Sequence, residues 1–221
     1  MKEDQTMQKV ITVRGMANVK VKPDYVNVLI KLVTLNMDYS DGMAEAARRI
    51  ESLKDALKGV DVDSEDLRTT DFHVDTEWEW LKDEKGNYKE HVFKGYKVCQ
   101  DLKIGFDFDR KRLVEILAAI AKSDVDPEFS VRFTVKDTSA VQDELFARAS
   151  ANARKIAEGL CRGVGKKLGD VLNINYSWQE IEVYGEVGRY CDCIGTTGSA
   201  PDINPDDLDA SDSVVFTWEL I

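Results

Sequence analysis

A chain of 221 residues is long enough to bury roughly 70% of its unfolded surface, as one large domain or two small ones. Charged residues make up 32% of it and hydrophobic ones 43%, the balance of an ordinary soluble globular protein. The net charge of −11, with no local run of Lys and Arg to offset it, repels phosphate backbones and anionic membrane surfaces, so nucleic acid is not an expected partner. The opening MKEDQTMQKV has no apolar h-region and carries acids where a signal peptide needs bases. No stretch approaches the ~20 apolar residues that insert across a bilayer. The expectation is a cytoplasmic protein whose four cysteines, Cys99, Cys161, Cys191 and Cys193, stay reduced.

From Ile11 to Leu35 two β patterns are broken by Gly15 and turned by Pro23-Asp24. Val26, Val28, Ile30 and Leu32 alternate on one face. Leu29, Val33 and Leu35 on the other predict a central strand covered on both sides. Ser40 or Asp41 is placed to cap a helix through Lys58, with Met43, Ala46, Ile50, Leu53 and Leu57 as its stripe and Gly59 as its stop. Period two returns from Glu65 to Trp80. Phe72, Val74, Thr76, Trp78 and Trp80 share one side, and Asp71, His73, Asp75, Glu77 and Glu79 the other. After a polar turn at Gly86-Asn87, a long strand from His91 to Phe108 sets Tyr96, Val98, Leu102, Ile104 and Phe106 against Lys97, Asp101 and Lys103. The two runs read as a long antiparallel hairpin in which lysines face acids.

Asp109 caps a helix carrying Leu113, Ile116, Leu117 and Ile120 inward, and Phe129, Val131, Phe133 and Val135 form a half-buried strand. Ser139 and Gln142 have capping-box spacing and start the longest helix. Its stripe is Val141, Leu145, Ala149, Ala153, Ile156 and Leu160, and it stops at Gly163 to Gly165. Leu172, Ile174, Tyr176 and Trp178 make a strand, residues 185–212 a surface excursion, and Val214 to Ile221 a terminal strand paired inside a sheet. The order ββαββαβαβ(loop)β predicts an α+β fold. Mixed or antiparallel sheets, a long central hairpin and about three covering helices form a single unit over 8–221 with two packed sub-regions.

This order, with its punctuation, resembles the SIMPL-domain family. The resemblance rests on Ile11-Thr12-Val13-Arg14-Gly15 before a Val-rich strand with Pro23-Asp24, on Leu67 to Phe72, on Gly95-Tyr96 and on Phe133 to Asp137. Ala149 to Ala157 leading to Lys167-Leu168-Gly169-Asp170-Val171, then Pro201-Asp202-Ile203 and Val214 to Leu220, complete it. The resemblance implies a mixed α+β fold that tends to self-associate, in a family that includes exported bacterial envelope proteins and a eukaryotic protein linked to kinase signalling. It brings no catalytic motif and no cofactor.

The acidic face Asp71, His73, Asp75, Glu77 and Glu79 is the best candidate for chemistry. Carboxylates two apart on a strand lie roughly 7 Å from one another, within reach of acid/base work or a divalent metal, and His91 could approach His73 in a suitable register. The plainer reading is a solvated face paired with Lys97 and Lys103. Asp202-Ile203-Asn204-Pro205-Asp206-Asp207 starts like a calcium loop, but Asp207 replaces the turn glycine and Ser213 the bidentate glutamate. Cys191-Asp192-Cys193 lacks the spacing of a redox or zinc pair. Gly163-Val164-Gly165-Lys166-Lys167 closes a helix where a phosphate loop would open one. Only two histidines occur, both on the hairpin, and no nucleophile elbow is present. The aromatic cluster Trp78, Trp80, Tyr88 and Phe93 near the hairpin tip suits an interaction surface; the alternative is packing against the late excursion.

The expected function is a non-enzymatic assembly and protein-interaction module, a homo-oligomer without catalytic, cofactor or metal residues and without membrane insertion. The second reading is a metal-dependent hydrolase or metal-binding protein built on the acidic hairpin face.

Overall fold

The computed structural model describes residues 9–82, 88–177, 184–187 and 203–221. The expected Gly86-Asn87 turn, Trp178, Cys191, Cys193 and Asp202 lie outside the described residues. The elements are β1 (Val10–Val21), β2 (Tyr25–Asn36), α1 (Tyr39–Lys58), β3 (Arg68–Lys82), β4 (Tyr88–Asp107), α2 (Arg110–Lys122), β5 (Glu128–Thr134), α3 (Ser139–Gly163), β6 (Leu168–Asn175), β7 (Tyr184–Val187) and β8 (Leu208–Leu220). This is an α+β fold, in the predicted order with β7 added. Its contacts gather into two compact units, one built on β1, α3, β6 and β8, the other on β2 to β5, β7, α1 and α2.

In the first unit the sheet order is β1-β8-β6. Val214 to Leu220 sits between two partners as the sequence predicts, but β8 begins at Leu208. Leu208 and Ala210, expected in the excursion, are buried. Gly15 does not break β1; the strand runs through it. A Cβ at Gly15 would strike the Ala149 carbonyl oxygen and come within 2.7 Å of Ala153 Cβ, so glycine is what lets α3 lie this close to the sheet. That proximity selects small residues on the helix. The buried stripe is Val141, Leu145, Ala149, Ala153, Ala157 and Cys161, and the expected Ile156 and Leu160 are exposed instead. The expected Ser139–Gln142 capping box does not form either. Asp137 accepts hydrogen bonds from the Ser139 N–H (2.9 Å) and Oγ–H (2.6 Å), and the Thr138 N-cap side chain makes none.

The second unit is a sheet of order β3-β4-β2-β5-β7. On one face Val26, Val28, Ile30 and Leu32 of β2 and Leu102, Ile104 and Phe106 of β4 are buried against Leu53 and Leu57 of α1 and Leu113, Ile116 and Ile120 of α2. Ile203, also expected in the excursion, joins this core. The reverse face of β2 is not covered as expected: Leu29 and Val33 are half-buried, and Lys31 and Leu35 are exposed. Asp38, not Ser40 or Asp41, caps α1, its carboxylate accepting from both of their N–H groups at 2.8 and 3.1 Å. Asp109 caps α2 as predicted. β2 ends at Asn36, opposite Tyr96 of β4. The rest of the hairpin, Glu77 onward in β3 and Tyr88 to Gly95 in β4, continues past it as a two-stranded arm.

Candidate functional site: an aromatic ribbon on the hairpin arm

The arm owes its chemistry to one irregularity. Glu77 pairs with Gly95 and Trp78 with Phe93, which leaves Lys94 as an extra residue, a bulge in β4. A same-face spacing of two becomes a spacing of three there, so His91 and Phe93 share the face of Tyr96 and Val98. Gly95 has φ +137, and a Cβ would come within 2.8 Å of the Asn36 carbonyl carbon; an L side chain fits neither condition. On β3 the alternation is unbroken, and Trp78 and Trp80 fall on the same side.

The result is a continuous run of rings. Tyr88 meets Trp80 edge-on at 5.9 Å, His91 stacks between Trp80 (4.3 Å, 17°) and Trp78 (5.0 Å, 27°), and Trp78 meets Phe93 at 5.1 Å. Phe93 meets Tyr96 at 5.4 Å, and Tyr96 meets Tyr39, the first residue of α1, at 5.5 Å. These are the offset and edge-to-face arrangements that aromatic quadrupoles favour. Val98, next along this face, is buried beside α1. The ribbon therefore continues the helix-covered face of the sheet outward from the start of α1. Trp78 is 47% exposed, Trp80 55% and Tyr88 69%. Across the arm, Lys94 Nζ lies 2.8 Å from Glu79 and Lys97 Nζ 3.7 Å from Glu77, so one face is aromatic and the other ionic. Trp78, Trp80, Tyr88 and Phe93 are thus brought together as expected from the sequence. His91 and Tyr96 were missed because the bulge is what brings 91 and 93 onto the face of 96, and Tyr39 because only the seating of α1 brings it to Tyr96. The cue was Lys94-Gly95 inside an otherwise alternating strand.

The acidic face has a different character. His73 Nδ1 is 2.8 Å from Asp71 and Nε2 is 3.6 Å from Asp75. The two ring nitrogens thus engage separate carboxylates on opposite sides and share no point where an ion could sit. His91 does not approach His73: it pairs with Trp80, whereas His73 pairs with Cys99, roughly 20 Å away by strand rise. Lys103 stands opposite Arg68, not an acid. Among the described residues no group of three or more His, Cys, Asp or Glu could hold a metal ion.

Elsewhere in the second unit a depression of about 310 Å³ is lined by Leu29, Lys31, Thr70, Asp101, Glu128 and Ser130, with no histidine or cysteine in its wall. Lys31 lies in register between Asp101 and Glu128. In the calcium-loop candidate, Asn204 accepts from Arg110 at 3.2 Å and Asp206 from the following N–H, so these side chains serve the chain itself. Gly165, at φ +68, follows the end of α3, where Lys166 N–H reaches the Cys161 carbonyl at 2.8 Å. That is a helix C-cap, as predicted. Cys99 and Cys161 are buried free thiols. No helix among the described residues is long and apolar enough to cross a membrane.

Residues 11–218 match the family model SIMPL, described as a protein of unknown function (DUF541). No curated protein matches the chain.

Proposed function

We propose that this chain, which belongs to the SIMPL family, works as a non-enzymatic module that assembles with copies of itself and with protein partners through the aromatic face of its arm. The supporting observation is the run of rings from Tyr39 to Tyr88, laid along the helix-facing side of a ribbon that has left its helices behind. An isolated two-stranded hairpin is marginal in water, and large amphipathic rings gain most from being covered. At roughly 100 Å² left open on each of Trp78, Trp80, Tyr88 and Tyr39, the patch falls within the range of the largest apolar patch on a monomer. Two copies covering it mutually would bury on the order of 800 Å², the size of a weak interface. A reducing compartment such as the cytoplasm suits the free thiols.

Light scattering after size exclusion tests this on the native chain and on Trp78→Ser with Trp80→Ser. The expected result is a multiple of the 24.9 kDa protomer for the native chain and the protomer mass for the variant. Protomer mass in both would count decisively against assembly through this face.

A further inference from the structure

β1 is an edge strand of the first unit's sheet, paired among the described residues with β8 alone, and its outer edge is finished differently along its length. The Met16 N–H donates to Asn152 Oδ1 (3.1 Å), and the Asn18 carbonyl accepts from Arg148 Nη1 (3.3 Å). The even-numbered residues of β1 therefore turn their backbone groups away from β8. Positions 148 and 152 are one helical turn apart and serve strand residues two apart, a match of roughly 6 Å to 6.6 Å. Continuing the series puts Ile156 beside Arg14 and Leu160 beside Thr12. The α3 residues next in that series are apolar: Ile156 is 40% and Leu160 54% exposed. Gly159 stands between them, and a Cβ on it would meet nothing within 4 Å. The described fold gives no reason for a helix-weakening residue at that point. Outward main-chain groups, an apolar wall and a bare stretch of helix thus coincide at one end of the strand.

We infer that this groove takes up an extended strand by edge addition, and that the strand is β3 of a second copy. The inference rests on the assembly reading and names the surface that receives the arm. Val13 and Gly15 face α3, so Thr12, Arg14 and Met16 face the opposite side of the sheet. A fitting strand is apolar toward Ile156 and Leu160 and acidic toward Arg14. β3 is an edge strand with Phe72, Val74, Trp78 and Trp80 on one face and Asp71, Asp75, Glu77 and Glu79 on the other. The same acids disfavour pairing of β3 with another β3, since like charges would stand opposite. The resulting contact is head-to-tail: each copy offers an arm and accepts one.

A complementation experiment by light scattering tests this on full-length protein. Ile156→Asp with Leu160→Asp removes the groove, and Trp78→Ser with Trp80→Ser removes the arm face; all four positions are exposed. Each variant alone is expected at 24.9 kDa, and their equimolar mixture at twice that, because each supplies what the other lacks. A groove variant that assembles like the native chain, or a mixture that stays at protomer mass, overturns the groove and leaves aromatic assembly standing. A native chain at protomer mass overturns both. As a second measurement, a labelled synthetic peptide of residues 71–80 should bind the arm variant and bind the groove variant at least tenfold more weakly; equal binding overturns the inference. A native monomer that nonetheless binds the peptide overturns the second copy in favour of a foreign strand of the same chemistry.

Discussion

Two glycines on facing elements of the first unit do opposite things. Gly15 is buried in β1, and its missing Cβ is the space occupied by the Ala149 carbonyl and the Ala153 methyl. Gly159 of α3 has open space where its Cβ would be. Adding the same carbon at each should therefore move stability in opposite directions. Gly15→Ala overpacks a contact between two backbones, neither of which yields cheaply, and is expected to cost about 2–3 kcal/mol. Gly159→Ala removes backbone freedom from the unfolded chain and meets no obstacle, and is expected to add roughly 0.5–1 kcal/mol. Urea denaturation followed by far-ultraviolet circular dichroism reads both. A Gly15→Ala variant as stable as the native chain would mean that the closeness of α3 to β1 is not set at Gly15, and a destabilised Gly159→Ala that its place on α3 is not open.

The way α3 begins and seats itself shows what was legible in the sequence and what was not. Its existence, its end at Gly163–Gly165 and its length follow from periodicity and glycine placement. Its rotation does not, because Ile156 and Leu160 fit a 3.6-residue period as well as Ala157 and Cys161, and are more apolar. Only the approach at Gly15, a tertiary fact, selects the smaller set. The hairpin behaves alike: strand type and the mates Trp78, Trp80, Tyr88 and Phe93 were readable, but the ring order through His91 needed the bulge at Lys94-Gly95. The helix start has a measurable signature. The Ser139 hydroxyl first, and its N–H second, hold the Asp137 carboxyl below its ordinary 3.8. A carboxyl depressed in the folded state stabilises above its unfolded value, and that contribution is lost as pH falls through the folded one. Asp137→Ala should thus lower the thermal midpoint at neutral pH, and the deficit should vanish in acid well below 3.8. A deficit unchanged in acid would show that the carboxylate charge is not what caps α3.

For the molecule as a whole, the decisive asymmetry is between a sheet covered by helices and an arm that outruns them. Val26, Val28, Ile30 and Leu32 are sealed under α1 and α2, so their amides open only with the unit itself. Among the described residues the arm has no third strand past Asn36. Its cross-strand ion pairs Glu77–Lys97 and Glu79–Lys94 are exposed and each contribute ~0.2–1 kcal/mol at most. What holds the ribbon is therefore ring contact on one face, and that contact gains strength when a second surface covers it. Amide exchange should separate the two regions by their dependence on protein concentration. Residues 77–81 and 88–95 are expected to exchange faster on dilution, as the cover dissociates, and Val26 to Leu32 at an unchanged rate. Hydrogen–deuterium exchange with mass spectrometry, run across a hundredfold range of concentration, reads this directly. If the arm exchanges at one rate throughout that range, its rings are held within a single copy and the aromatic face is not where molecules meet.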